Sequence, residues 1–204
     1  SPRAWLAGIV RDGAERGAFL LECAPAAAPE WGAGRYPVSY ETIRYEIKGP
    51  LALITLDRAA KLNAISLAML RELHEALGEA TRDERARAIA LTGAGRAFAS
   101  GSDLAEVRER DLNKAMEPLV QGITEHLQRC PKPTIAAING ICFGGGLELA
   151  LGCDLRVAST KARFATPEGK LGIIPGGGAS QRLPRIIGRS WAMEMLVMGT
   201  ELDA

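Results

Sequence analysis

The chain has 204 residues, of which 47% are hydrophobic and 24% charged, and its 25 Lys and Arg nearly balance its 24 Asp and Glu to leave a formal net charge of +1. A chain of this length can bury one sizeable core, so we expect one main domain that needs no disulfide or structural metal. The near-zero net charge argues against nucleic acid or an anionic membrane surface as a partner.

Metal and thiol chemistry are not expected either. Only two histidines are present, and no C-x-x-C spacing occurs among Cys23, Cys130, Cys142 and Cys153. Cys142 stands between Ile141 and Phe143, which predicts a small buried hydrophobe. These features favour a reducing compartment, the cytoplasm. No apolar run reaches eighteen residues, so we expect no membrane-spanning segment.

The amino-terminal part of the chain differs from the rest. Ala, Pro and Gly dominate residues 1–38 without a lasting helical or strand period, which indicates an appended, irregular arm. Residues 39–204 then form the predicted core. Its first element is a β-hairpin, because apolar and polar residues alternate over 43–47 and a Gly-Pro pair precedes the apolar run 51–56.

Helices and strands alternate after the hairpin. Ser66 is a candidate cap for a helix whose leucines follow the 3.6-residue period. The later pattern predicts strands at 87–92, 134–138 and 155–158, a polar helix over 103–129 bent near Pro118, and helices at 147–152, 179–187 and 190–198. The predicted architecture is α/β, with repeated strand-strand-helix units.

Two glutamates stand in apolar, glycine-rich surroundings. Glu148 lies in a helical segment that is otherwise apolar on every face, and Glu168 precedes a glycine-dense loop. Burial of a carboxylate is costly unless it is paired, protonated or used in a cavity. Glu148 could simply complement the helix dipole. The second glutamate in a similar setting favours acid-base chemistry by the pair.

The run Gly144-Gly145-Gly146 precedes the helical segment that contains Glu148. Its backbone N–H groups could point at developing negative charge, as in an oxyanion hole. Tight helix-strand packing explains the same glycines equally well. A second loop of small residues, 98–104, is a candidate for another N–H donor.

Taken together, these motifs resemble the enoyl-CoA hydratase/isomerase (crotonase) family. The matching segments occur in the family's order, at Leu62-Asn63-Ala64, 98–104, 137–140, 144–150, Cys153-Asp154, 164–168, 171–176 and 181–183. The resemblance covers about residues 40–204 and implies a crotonase-like spiral of strand-strand-helix units. It also implies that the family's carboxyl-terminal helical segment is missing after residue 204.

The resemblance assigns roles to individual residues. It implies that Glu148 and Glu168 are the catalytic pair and that the N–H groups of Ser102 and Gly145 form the oxyanion hole. Glu148 would activate water for attack at Cβ, and Glu168 would exchange the Cα proton. Residues implied to contact the coenzyme A or acyl part of the substrate are Ala60, Lys61, Leu62, Ser100, Gly101, Asp103, Leu104, Gly144, Leu147 and Thr166. Lys61 could face the phosphates, although a solvated charge is its simpler interpretation.

The expected function is hydration of a trans-2-enoyl-CoA to the 3-hydroxyacyl-CoA. An acyl-CoA thioester is the expected partner, no metal or redox cofactor is expected, and coenzyme A enters with the substrate. Enoyl-CoA isomerisation through one glutamate is the alternative within enzymes. A catalytically weak crotonase-like domain that binds acyl-CoA is the alternative of another class. Family members form homo-oligomers, but the short carboxyl end makes weaker self-association the expectation for this chain.

Overall fold

The computed structural model describes residues 40–108 and 119–204. The predicted amino-terminal arm and the predicted bend at Pro118 lie outside these described residues. The helices of the described part are α1 Leu67–Arg82, α2 Leu104–Arg108, α3 Leu119–Arg129, α4 Gly145–Gly152, α5 Ala179–Ile187 and α6 Arg189–Met193, with a π-helical turn at Glu194–Met198 and 3₁₀ turns at Ala59–Lys61 and Pro167–Leu171.

The first sheet has five strands in the order β1-β2-β3-β5-β7. They are β1 Ile43–Lys48, β2 Leu51–Leu56, β3 Ala88–Gly93, β5 Thr134–Ile138 and β7 Leu155–Ala158. The hairpin of β1 and β2 is antiparallel and pairs Ile43 with Leu56, whereas β2, β3, β5 and β7 are mutually parallel. The predicted hairpin and all three later strands are therefore confirmed, each boundary within one residue.

A second sheet has the order β4-β6-β8-β9. Its strands are β4 Ala97–Ala99, β6 Ile141–Phe143, β8 Arg163–Ala165 and β9 Leu202–Asp203. The first three are parallel, and β9 closes the edge antiparallel to β8. The prediction that residues 98–104 form only a loop was wrong, because their first residues belong to β4.

The two sheets exchange strands in a regular way. Each of β3, β5 and β7 in the first sheet is followed along the chain by β4, β6 or β8 in the second, and a helix or 3₁₀ turn follows that pair. The predicted strand-strand-helix repeat and the predicted α/β architecture are thus confirmed.

Helix α1 shows how the local sequence determines one of these elements. Ser66 caps it as predicted, since its hydroxyl accepts a hydrogen bond from the Met69 N–H at 3.2 Å. The leucines at 70, 73 and 77 lie on its buried face and pack into the core. No helix of the described ranges combines the length and apolar character that a bilayer crossing requires.

Candidate active site

The predicted site residues gather at one edge of the second sheet. Strands β4, β6 and β8 are adjacent and parallel, so their carboxyl ends lie side by side. Ser102 follows β4, Gly145 follows β6 and Glu168 follows β8. Loops at the carboxyl ends of parallel strands are the usual place for ligand sites in α/β folds. The topology therefore brings three segments that are distant in the sequence to one edge.

Glu148 lies in the first turn of α4 and is only 3% exposed, which confirms its predicted burial. Its Oε1 accepts hydrogen bonds from two backbone amides, Gly177 at 2.7 Å and Ala179 at 3.0 Å. Burial raises the pKa of Glu148, while those N–H donors and the charge of Arg182 act in the opposite direction. The carboxylate is held in a fixed position but is not neutralised by an ion pair within the described part of the chain.

Glu168 has a different environment. It lies in the 3₁₀ turn after β8, is 8% exposed, and its buried Oε2 has no hydrogen-bond partner among the described residues. Burial raises the pKa of Glu168 to about 7; its own backbone amide opposes the rise, and the charge of Glu148 adds to it. The charge of Glu148 thus acts on the carboxyl group of Glu168. Near neutral pH, Glu168 can carry a proton.

Gly144 permits the close approach of Glu168 to the start of α4. Its backbone has φ +50°, a region that L side chains rarely adopt. A Cβ at this position would lie 3.0 Å from Oε1 of Glu168. The Gly144 N–H donates to the Ala165 carbonyl at 2.9 Å, which joins the loop to β8. Glycine at 144 therefore serves both the turn and the space for the carboxylate.

The two predicted oxyanion donors lie next to each other. A Cβ built on Gly145 would be 3.6 Å from the backbone nitrogen of Ser102. Gly145 is the first residue of α4, so its N–H has no acceptor within the helix. The residues on either side of Ser102 bond to Ile65: the Gly101 carbonyl accepts from the Ile65 N–H, and the Asp103 N–H donates to the Ile65 carbonyl, both at 2.8 Å. No backbone hydrogen bond among the described residues uses the Ser102 N–H, so both amides are available to a ligand.

The loop that contains Leu62 is built on a buried asparagine. Leu62 and Asn63 both have positive φ, at 52° and 55°. The Asn63 side chain holds this shape: its Oδ1 accepts from the Arg58 N–H at 2.9 Å and its Nδ2 donates to the Ala97 carbonyl at 2.8 Å. The Ser100 N–H in turn donates to Leu62 O at 3.0 Å. Two predicted substrate-contact loops, around residue 62 and residue 100, are thereby joined.

The Asp103 carboxylate is held by ion pairs and a hydrogen bond to neighbouring protein groups. Its carboxylate lies 3.0 Å from Arg58 Nη2 and 3.7 Å from Lys61 Nζ, and it accepts from the Ala105 N–H at the start of α2. Burial tends to raise the pKa of Asp103, but the Arg58 and Ala105 hydrogen bonds and the Lys61 charge leave it below its usual value. The Lys61 side chain is 63% exposed. Asp103 thus joins the two loops, and the lysine remains solvated. Two other predicted contact residues are exposed: Ala60 in the 3₁₀ turn Ala59–Lys61 and Leu104 at the start of α2.

Leu147 and Thr166, predicted near the acyl chain, are both buried but differ in surroundings. Leu147 faces an apolar cavity of about 40 Å³ that neither glutamate lines. Its other lining residues are Ile138, Leu151, Arg156, Ala158, Phe164, Leu183, Ile186, Ile187 and Met195. Thr166 is fully buried between β8 and the Glu168 turn, and its hydroxyl has no partner among the described residues. Thr166 thus lies two residues before Glu168, and Leu147 lies directly before Glu148 but lines a cavity that neither glutamate lines.

The raised pKa of Glu168 predicts a pH-dependent stability. A carboxyl group whose pKa rises from 4.5 to about 7 on folding binds its proton more tightly in the folded state. Protonated Glu168 therefore contributes to the free energy of unfolding. This contribution is complete below pH 4.5 and is lost as the pH rises through about 7, which lowers the free energy of unfolding by about 3 kcal/mol. Glu168→Gln cannot ionise, so we expect the variant to gain about 3 kcal/mol over wild type between pH 4.5 and pH 8. Urea unfolding of both proteins at the two pH values measures this difference, and a constant difference would contradict the raised pKa.

The sequence reasoning missed the groups that hold Glu148 in place. The donors are the backbone amides of Gly177 and Ala179, on the loop before α5. Because backbone N–H groups are common to almost every residue, the residue types give little signal for them. The glycine run 176–178 was the available signal: a Cβ at Gly177 would lie 2.6 Å from Oε2 of Glu148.

A sequence model of the family described as enoyl-CoA hydratase/isomerase matches residues 46–204. The chain belongs to this family. Among similar relatives, a probable enoyl-CoA hydratase of Rhizobium meliloti is 42% identical over 167 residues, which cover 82% of this chain and 65% of the relative. A mitochondrial enoyl-CoA hydratase of Pongo abelii is 39% identical over 194 residues, which cover 91% of this chain and 67% of the relative.

Solved structures of the family share the fold. Subunit I of an enoyl-CoA hydratase from Geobacillus kaustophilus superimposes with a TM-score of 0.76 at 40% identity, covering 81% of this chain and 64% of that structure. The enoyl-CoA hydratase of Bacillus anthracis gives a TM-score of 0.77 at 38% identity, covering 80% and 65%. The chain spans about two thirds of the length of these family members.

Proposed function

We propose that this chain is an enoyl-CoA hydratase that adds water across the double bond of a trans-2-enoyl-CoA thioester. The observation that carries the proposal is the pair of buried glutamates with different surroundings, beside two N–H groups that are free to bind a ligand. Membership of the enoyl-CoA hydratase/isomerase family supports the choice of thioester substrate.

In the proposed reaction the thioester oxygen accepts hydrogen bonds from the N–H groups of Ser102 and Gly145, which stabilise the negative charge that develops on it. Ionised Glu148 takes a proton from water as the water oxygen bonds to Cβ. Protonated Glu168 gives its proton to Cα. The product therefore gains OH at Cβ and H at Cα, and the two carboxyl groups exchange protonation states before resetting through solvent.

The surroundings of the two glutamates support this division of labour. Two backbone N–H donors on one oxygen favour the ionised form of Glu148, the form that a base needs. Glu168 lacks such donors on its buried Oε2 and has a pKa of about 7, which suits a group that delivers a proton near neutral pH.

The proposed partner is an acyl-CoA thioester, and the proposed place of action is the cytoplasm. Coenzyme A enters as part of the substrate, the proposed chemistry uses no metal or redox cofactor, and the predicted loops around residues 62 and 100 would hold the coenzyme A part. A cytoplasmic location stays a prediction, supported by the free thiols of Cys130, Cys142 and Cys153.

Turnover of crotonyl-CoA by the purified chain, followed as loss of the enoyl-thioester absorbance, tests the proposal. We expect hydration, with kcat/KM falling as the pH rises through about 7, because Glu168 must be protonated to act as the acid. Binding of crotonyl-CoA without turnover would contradict the hydratase and favour a binding domain. Movement of the double bond in a 3-enoyl-CoA, without water addition, would favour isomerisation instead.

A further inference from the structure

Thr124 is a fully buried polar residue that no motif of the sequence singled out. It lies in α3, and its hydroxyl donates to the Gly177 carbonyl at 3.0 Å. The same hydroxyl lies 2.9 Å from the Gln121 carbonyl, one turn earlier in α3. The Gln121 carbonyl also has the helical N–H four residues later as a donor. The contact with Gly177 is therefore the one that reaches beyond the helix of Thr124.

Gly177 connects Thr124 to Glu148. Its N–H donates to Oε1 of Glu148 at 2.7 Å, and its carbonyl accepts from Thr124 and, at 2.6 Å, from Nη1 of Arg182. A Cβ on Gly177 would lie 2.6 Å from Oε2 of Glu148 and 2.7 Å from Cγ1 of Val120. The Gly177 backbone, which carries no side chain, is thus packed directly between the Glu148 carboxylate and α3. Both its N–H and its carbonyl are hydrogen-bonded.

We propose that Thr124 is a positioning residue for Glu148, acting through the Gly177 backbone; the inference rests on the proposed function, in which Glu148 activates water. A hydrogen bond from an N–H group to a carboxylate favours the ionised form of the carboxylate only while the N–H points at the oxygen. Thr124 anchors the carbonyl of the residue that supplies that donor. Arg182 anchors the same carbonyl, but its charge also acts directly on Glu148. The neutral threonine therefore isolates the positioning effect.

Two substitutions separate the hydroxyl of Thr124 from its shape. Thr124 packs closely on α4, since a Cβ at Gly152 would lie 3.1 Å from the Thr124 Cβ and 3.3 Å from its Cγ2. Thr124→Val keeps that volume and removes the hydroxyl, while Arg182 still satisfies the Gly177 carbonyl. Thr124→Ser keeps the hydroxyl and removes the methyl group. If Thr124 serves only to fill space, Thr124→Ser should lower activity more than Thr124→Val. If its hydroxyl positions Glu148, Thr124→Val should lower activity more than Thr124→Ser.

We expect Thr124→Val to lower kcat for crotonyl-CoA hydration about tenfold with little change in KM, by analogy with residues that orient metal ligands through hydrogen bonds, whose loss costs about tenfold or more. The acid limb of the kcat profile should move to higher pH, because the ionised form of Glu148 loses support. Thr124→Ser should keep the wild-type pH profile even if it unfolds at lower urea. Equal pH profiles for wild type and both variants would overturn the proposal.

The amide proton of Gly177 gives a second readout that needs no turnover. Its NMR chemical shift should titrate with Glu148, and the midpoint should rise in Thr124→Val but not in Thr124→Ser. If wild type does not hydrate crotonyl-CoA and the midpoint still rises in the Val variant, Thr124 positions Glu148 and only the proposed function fails. If the midpoint is the same in all three proteins, the positioning role fails whatever the activity.

Discussion

Replacement of Glu148 by glutamine is expected to lower crotonyl-CoA hydration by roughly a thousandfold, the scale of a lost general base. Glutamine keeps the volume of the side chain, and its amide oxygen can still accept from the N–H groups of Gly177 and Ala179. The fold should therefore survive while water activation fails. Initial rates of absorbance loss, at substrate concentrations that separate kcat from KM, measure the effect.

Glu168→Gln is the matched variant, since it removes the other carboxyl group of the same site. We expect a comparable loss of hydration, and a double variant little worse than the worse single one, because the two groups act on one transition state. A folded Glu148→Gln protein that hydrates crotonyl-CoA near the wild-type rate would remove the hydratase proposal. Isomerisation through Glu168 alone would then be the better account.

The second large effect is expected at the oxyanion hole. Gly145→Pro removes one of the two proposed N–H donors and should lower turnover by about 100-fold or more. Proline is tolerated at the first position of a helix, which is where Gly145 lies in α4. Circular dichroism must first show the wild-type spectrum, and crotonyl-CoA turnover then measures the lost donor.

Ser102→Ala is the control for this experiment, because it keeps the backbone N–H and removes only the side chain. We expect it to retain most of the wild-type turnover. If folded Gly145→Pro turns over normally, the thioester oxygen must be held by other groups. If Ser102→Ala is as damaging as Gly145→Pro, the Ser102 hydroxyl takes part and the backbone account is incomplete.

Elements with a long local pattern were predictable from the sequence. Strands β1 and β2 have six residues each, enough for alternation and an apolar run to show, and a Gly-Pro pair marks their turn. Helix α1 has sixteen residues, a capping serine and a regular leucine stripe. In each case the signal depends only on neighbours in the chain.

The second sheet had no comparable signal. Strands β4, β6 and β8 have three residues each, which is too short for a period of two to be distinguished from a loop. Their pairing depends on contacts between residues far apart in the sequence, such as Cys142 with Phe164. Since the site lies at the ends of these strands, its assembly could not be derived from local patterns.

The candidate site was predictable in part for the same reason. The burial of Glu148 followed from its apolar neighbours, and the family motifs pointed to Glu168 and Gly145. The supporting contacts did not follow, because Thr124 is an ordinary threonine in a polar helix and Gly177 acts through its backbone. The expected contact of Leu147 with the acyl chain stays a prediction; the residue lines an apolar cavity that neither glutamate lines.

Deuterium exchange at Cα tests the central claim, that the two glutamates have different tasks in one site. The measurement follows incorporation of solvent deuterium at Cα of 3-hydroxybutyryl-CoA by mass spectrometry, for wild type and for the two glutamine variants. We expect Glu168→Gln to lose the exchange, because Glu168 is the group proposed to exchange the Cα proton, whereas Glu148→Gln should retain part of it while losing water addition. Retained exchange in Glu168→Gln together with its loss in Glu148→Gln would contradict the assignment of both roles.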